Sequence, residues 1–223
     1  MILAQSDRFF RWDWVFSHLD DIWDKVVEHV VLTGLALGFG LVISLALALA
    51  GLRFRRTLGP ITWVTGTLYT IPSLALFAFL VPITGISLLT AEIGLVSYTL
   101  LILIRNIVAG IDGVDPGVKE AAIGMGYSRR RLFLEIELPL ALPVIIAGIR
   151  IAAVTTVGLV TITALVGQGG LGFFILNGLT RFFNTEIIIG TVLSVVLAVV
   201  IDAILVATEW VLTPWQRRKA AQA

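Results

Sequence analysis

The 223-residue chain contains no cysteine, only two histidines, and charged side chains at 14% of positions against 58% apolar ones. Without cysteine there is no disulfide framework, no thiolate metal site and no cysteine nucleophile. His18 and His29 have no further ligand cluster near them, so no metal is expected and both are read as surface or interfacial residues. Sixteen basic residues nearly balance fifteen acidic ones, which removes the electrostatic surplus that nucleic-acid binding needs. Nor is there a Gly-x-x-x-x-Gly-Lys-Ser/Thr loop, because Lys25, Lys119 and Lys219 all lack that context. Soluble domains carry about a quarter charged residues. With so few charges and a mean hydropathy of +0.99, apolar surface far exceeds what one small core can hide, and lipid is the implied solvent.

A helix crosses roughly 30 Å of hydrocarbon with about 20 residues. Five stretches have that length and character: 26–52, 61–81, 86–109, 138–166 and 187–212. The first residues lack a basic n-region, so an uncleaved, polytopic chain is expected. Ten of the sixteen basic residues fall on one side when the loops are assigned alternately: Arg53, Arg55, Arg56, Lys119, Arg129, Arg130, Arg131, Arg217, Arg218 and Lys219. Arg8, Arg11, Lys25 and Arg181 fall on the other, and the richer side is expected in the cytoplasm. The scheme is all-α, with the N-terminus outside and the C-terminus inside. It divides into an interfacial amphipathic helix over 1–25, a membrane domain over 26–213 with a cytoplasmic loop at 110–137, and a cytoplasmic tail over 214–223.

Through the first of these regions and into the second, Phe9, Trp12, Phe16, Leu19, Trp23, Val26 and Val30 recur three and four residues apart, with aspartates between them. The pattern fits a helix with its aromatic face at headgroup depth, or a docking face for an outside partner. Gly34, Gly38, Ala46 and Ala50 form a small-residue stripe on the first span, explained by close helix packing.

The 110–137 loop is longer than a simple reversal requires. Asp115 is a good N-cap and Pro116 suits the first helical turn, after which Val118, Ala121, Ala122 and Met125 give a short apolar face. Gly126 is placed to end that helix in the left-handed conformation. Ser128 can cap a second short helix whose Arg129, Arg130 and Arg131 can meet headgroup phosphates.

Glu120-Ala121-Ala122, three residues, Gly126, nine residues, Ile136, one residue and Leu138-Pro139 resembles the cytoplasmic "EAA" signature of permease subunits in binding-protein-dependent ABC importers. Every signature position is filled. The resemblance runs from about residue 32 to 212 and includes Tyr69-Thr70-Ile71-Pro72-Ser73-Leu74-Ala75-Leu76, Arg105-Asn106, Gly113-Val114-Asp115-Pro116 and Gly167-Gln168-Gly169-Gly170-Leu171-Gly172. These elements are similar to the osmoprotectant branch, which imports glycine betaine, choline, carnitine or related quaternary amines. Methionine-type permeases share the glycine-rich element and remain an alternative, as does a secondary transporter, although no internal repeat is visible.

The resemblance implies the type I importer permease fold shared with methionine permeases, in the bacterial inner membrane. It implies a second permease copy or paralogue, two cytoplasmic ATPase subunits that carry ATP and magnesium, and an extracytoplasmic solute-binding protein. This chain would hold no cofactor and catalyse no reaction. Asp115, Glu120, Ala121, Ala122, Gly126, Ile136, Leu138 and Pro139 would form the coupling element seated in a groove of the ATPase.

Thr70, Pro72 and Ser73 fall mid-span, where proline removes a backbone hydrogen bond. They mark either a kinked polar patch on the solute path or a passive kink. Gly167, Gly169, Gly170 and Gly172 cannot continue a regular helix. With Phe173 they form either an outer gate brought close to a symmetry partner, or a flexible loop before a lipid-facing aromatic pair. Arg150 and Asp202 lie deep in two spans at matching depth, and a buried ion pair is expected, either a conformational latch or a static tie.

Overall fold

The computed structural model describes residues 9–215, so expectations for 1–8 and 216–223, including Arg217, Arg218 and Lys219, lie outside the described residues. Within them the fold is helical with no strand: α1 Trp12–Ser17, α2 Leu19–Arg53, α3 Leu58–Thr70, α4 Ser73–Thr84, α5 Leu88–Asp112, α6 Pro116–Gly124, α7 Arg129–Leu132, α8 Leu138–Ile162, α9 Gly172–Arg181 and α10 Asn184–Leu212. Four helical segments are long and apolar enough to cross a membrane, and α3 with α4 supplies a fifth if that broken pair counts as one span.

The first span starts earlier than its hydropathy suggests. At 35 residues α2 is about 52 Å long, against roughly 30 Å of hydrocarbon. The separate helix expected up to residue 25 is therefore corrected: the chain breaks at His18, and 19–25 are the first turns of the spanning helix, with Asp20 and Asp21 at its positive end. The expected aromatic face stays exposed at Phe9, Trp12, Phe16, Leu19 and Trp23. The opposite face, with Val15 and Ile22 buried, packs on Leu171 and Phe174.

The second span is broken, not merely kinked. Pro72 is extended at φ −56°, ψ 132°, and a proline pushes the residue before it out of the helical region, so α3 ends at Thr70 and α4 restarts at Ser73. The hydroxyl of Thr70 turns back to donate to the Thr67 carbonyl.

Two compact units divide the chain: Met1–Gly38, Ile71–Val96 and Val154–Val200 in one, Phe39–Thr70, Ser97–Ala153 and Ile201–Ala223 in the other. The core of the first joins Leu32 and Ala36 of α2 to Phe77, Ala91, Leu95 and Val160. The core of the second joins Ala48 to Ile104, Ile107, Ile111, Ala141 and Ile145. Alanines at these contacts let backbones approach closely, as dispersion packing in lipid favours. The expected role of the Gly34 and Gly38 stripe needs correction: a side chain at either would meet nothing within 4 Å in this chain, whereas Gly40 lies directly against Thr99 of α5.

Candidate functional site: the signature segment and the glycine-rich loop

The signature segment folds as its local chemistry predicts. Asp115 Oδ1 accepts from the Gly117 N–H at 2.6 Å, with Pro116 at the first helical position. At the other end Gly126 has φ +86°, the Gly126 N–H donates to the Ile123 carbonyl, and the Tyr127 N–H donates to the Ala122 carbonyl. Those two bonds form the Schellman arrangement, which requires a left-handed residue and selects glycine. Ser128 Oγ accepts from the Arg131 N–H and starts α7. Between α7 and α8 the backbone widens into a π turn over Phe133–Glu137, where the Leu138 N–H donates to the Phe133 carbonyl. Pro139 explains the widening, since it has no N–H and its ring crowds the carbonyl four residues back.

Burial within α6 is confined to one residue. Of its apolar residues only Ala122 is buried, while Val118, Ile123 and Met125 are exposed, Met125 at 70%. Glu120 and Ala121 are exposed as well. The short apolar face therefore points largely out of the chain, beside the signature glutamate. Lys119 anchors the helix on its other side, donating to the Ile111 carbonyl at 3.1 Å and pairing with Glu137 at 3.1 Å. Arg55 makes a two-pronged pair with Asp112 at 2.6 and 2.7 Å. Ile136, Leu138 and Pro139 are half-buried where the segment joins α8.

The glycine-rich loop follows α8 through a 3-10 turn, with Gly167, Gly169 and Gly170 all at positive φ. Within its own chain the loop makes close approaches to backbone at three glycines. A side chain at Gly170 would collide with the backbone of His29, one at Gly169 with Ala164, and one at Gly172 with Thr161. Glu28 Oε1 accepts from the N–H groups of Gly169 at 3.0 Å and Gly170 at 3.1 Å. His29 is fully buried, correcting its expected surface position. Its Nδ1 accepts from the Leu171 N–H, which assigns the proton to Nε2, and Nε2 donates to the Val157 carbonyl at 3.0 Å. Lys25 completes the group, bound to Glu28 at 2.6 Å and lying 5.0 Å from the Phe173 ring centroid. Glu28 and His29 were missed because two polar residues at the head of an apolar run look interfacial; their spacing to the glycines across 140 residues leaves no local signal.

Thr70, Pro72 and Ser73 surround the α3 to α4 break, with Thr70 and Pro72 exposed. Arg150 and Asp202 meet, and Glu209 approaches the same guanidinium at 3.6 Å. Glu92 is a further ionisable residue in a span: at 9% exposure neither carboxyl oxygen has a hydrogen-bond partner among the described residues, and neither does the buried Thr33 Oγ1. Among the described residues no group of three or more potential ligands could hold a metal.

Residues 40–213 match the family model described as "Binding-protein-dependent transport system inner membrane component". A choline transport system permease protein of Bacillus subtilis is 35% identical over 190 residues, which is 85% of this chain and 88% of that protein. An osmoprotectant import permease protein of Salmonella typhimurium is 35% identical over 192 residues, covering 84% and 89%. A carnitine transport permease protein of Listeria monocytogenes is 34% identical over 195 residues, covering 87% and 89%. Among solved structures, an inward-facing methionine ABC transporter chain aligns with a TM-score of 0.73 at 23% identity over 84% of this chain and 94% of its own, a likeness of fold.

Proposed function

This chain belongs to the family of inner-membrane components of binding-protein-dependent transport systems, and from that premise we propose that it forms the solute path of an importer for quaternary amines such as glycine betaine, choline or carnitine. The observation that carries the substrate class is the 34–35% identity, over most of each chain, to permeases named for choline, carnitine and osmoprotectants. The chain is a multi-pass inner-membrane transport subunit, and no step of covalent chemistry is assigned to it.

The exposed face of α6 supports a coupling role. A short helix capped at both ends, pinned from behind by Lys119 and presenting Val118, Ile123 and Met125 beside Glu120, is built to be gripped by another subunit. In the proposed cycle two ATPase subunits bind ATP and magnesium, close on each other and carry this helix with them, and the permease pair turns its outer side toward a solute-binding protein. Glu120 offers its carboxylate to basic or backbone donors of the ATPase. The break at Pro72 lies exposed, where a solute path could use its polar backbone, and the glycine-rich loop with Phe173 serves as an outer gate element held on α2 by Glu28 and His29.

Uptake of labelled glycine betaine, choline, carnitine and methionine into cells expressing the whole operon tests the reading. ATP-dependent, competitive uptake of the quaternary amines supports it, and uptake of methionine alone would replace it with the amino-acid reading.

A further inference from the structure

We propose that a cavity of about 390 Å³ beneath the signature segment is a binding site for the headgroup of an anionic phospholipid. Four cationic side chains line it, and two are already committed: Arg55 to Asp112 and Lys119 to Glu137. The other two, Arg53 and Arg129, have no acidic partner among the described residues, and Arg53 only overhangs the ring of its neighbour Phe54 at 5.6 Å. The cavity thus carries two positive charges beyond its own ion pairs, and guanidinium groups bind phosphate oxygens in charge-assisted, often bidentate bonds.

Any phosphate-bearing anion satisfies that chemistry, but the walls select an amphiphile. Leu52 and Phe133 line the cavity beside the arginines. From there Leu49, Leu45 and Val42 continue along α2 at helical spacing, exposed at 36%, 41% and 68%. An acyl chain laid on that stripe places its headgroup at Arg53 and Arg129, on the face that the basic-residue bias assigns to the cytoplasm, where anionic lipid is attracted by juxtamembrane basic residues. The apolar residues of α6 proposed to meet the ATPase, Ile123 and Met125, do not line the cavity. Because Lys119 of α6 and Arg129 of α7 do, a bound lipid braces both short helices of the signature segment against α2 and α5.

A lipid titration followed by native mass spectrometry of the detergent-purified transporter tests this, with phosphatidylglycerol and phosphatidylcholine of identical acyl chains and with inorganic phosphate as separate arms. Phosphatidylglycerol should be retained in preference to phosphatidylcholine. The double change Arg53→Gln and Arg129→Gln should weaken retention by about thirtyfold, the loss of two basic residues' attraction to an anionic headgroup. The double change to Lys should keep most of it, and Arg181→Gln should leave it unchanged. Melting temperatures of the variants report whether they fold. Equal retention of the two lipids, or undiminished phosphatidylglycerol binding by the folded Gln variant, overturns the proposal. Displacement of the lipid by inorganic phosphate at equal concentration would assign the site to free anions and overturn it as well.

Discussion

Arg150 of α8 and Asp202 of α10 are joined by two hydrogen bonds, Nε to Oδ1 at 2.8 Å and Nη2 to Oδ2 at 3.0 Å, with the Glu209 carboxylate 3.6 Å from the remaining Nη1. Within the single chain the pair is not buried as the sequence suggests: the two side chains are 31% and 35% exposed. Glu209 lies seven residues, or about two turns, beyond Asp202, on the same face of α10.

This geometry sets an asymmetry between the two partners. Asp202→Asn leaves Arg150 a second carboxylate, whereas Arg150→Gln strands two. Arg150→Gln should therefore lower thermal stability in detergent more than Asp202→Asn. The double change should cost less than the sum; additive melting shifts would show that the residues do not interact in the membrane.

Gly126 at φ +86° is the pivot of the signature segment. Proline cannot adopt a positive φ, so Gly126→Pro should misdirect the chain after α6, and Glu120→Arg should present the wrong charge at the exposed face. Both variants should insert normally yet lose ATPase copurification and uptake. Unchanged copurification and uptake in both would remove 110–137 from the coupling role.

The hold of Glu28 on the glycine-rich loop predicts a graded response. Glu28→Gln keeps an acceptor for Gly169 and Gly170 but loses the charge that Lys25 pairs with, whereas Glu28→Ala removes everything. Hydrogen bonds to charged groups are worth ~1.5–3 kcal/mol, so the Ala variant should melt lowest and Gln between. Gly170→Ala should rival Glu28→Ala, because its methyl would collide with the His29 backbone. Equal melting of all four proteins would mean that the loop is not held there.

Glu92 is a buried carboxyl with no hydrogen-bond partner among the described residues. Leaving a buried polar group unsatisfied costs about 1–3 kcal/mol, so Glu92→Met, close in volume and apolar, should raise the melting temperature. A lower melting temperature would reveal a partner supplied by the assembled transporter.

The absence of cysteine makes topology directly measurable. Lys119→Cys should react with impermeant thiol reagents only from the cytoplasm, and Asn177→Cys only from outside. Reversed labelling would invert the orientation inferred from the basic residues and move the lipid site to the opposite leaflet.

Composition and local pattern determined the all-α class, the third to fifth spans to within a few residues and both caps of α6 in the signature segment. Those features depend on neighbours close in sequence: runs of apolar residues, a cap two residues ahead of the N–H it binds, a glycine at a helix end, a proline that stops α3. Depth counting along two helices also suffices to bring Arg150 and Asp202 to the same level, because helical rise is constant. Other outcomes depended on which side of a helix faces which neighbour. Hydropathy treats Gly34 and Gly40 alike, yet only Gly40 meets Thr99. It places His29 at an interface, yet the fold folds the 167–172 loop over it and uses both ring nitrogens. It marks a short apolar face on α6 without choosing its direction, and Lys119 and Glu137 hold the helix so that Val118 and Met125 face out. In lipid, apolar residues gain little by being inside rather than outside a bundle. Apolarity therefore marks a span without choosing its buried face, and that choice is made by close packing at small residues and by the few polar contacts that tertiary structure brings together.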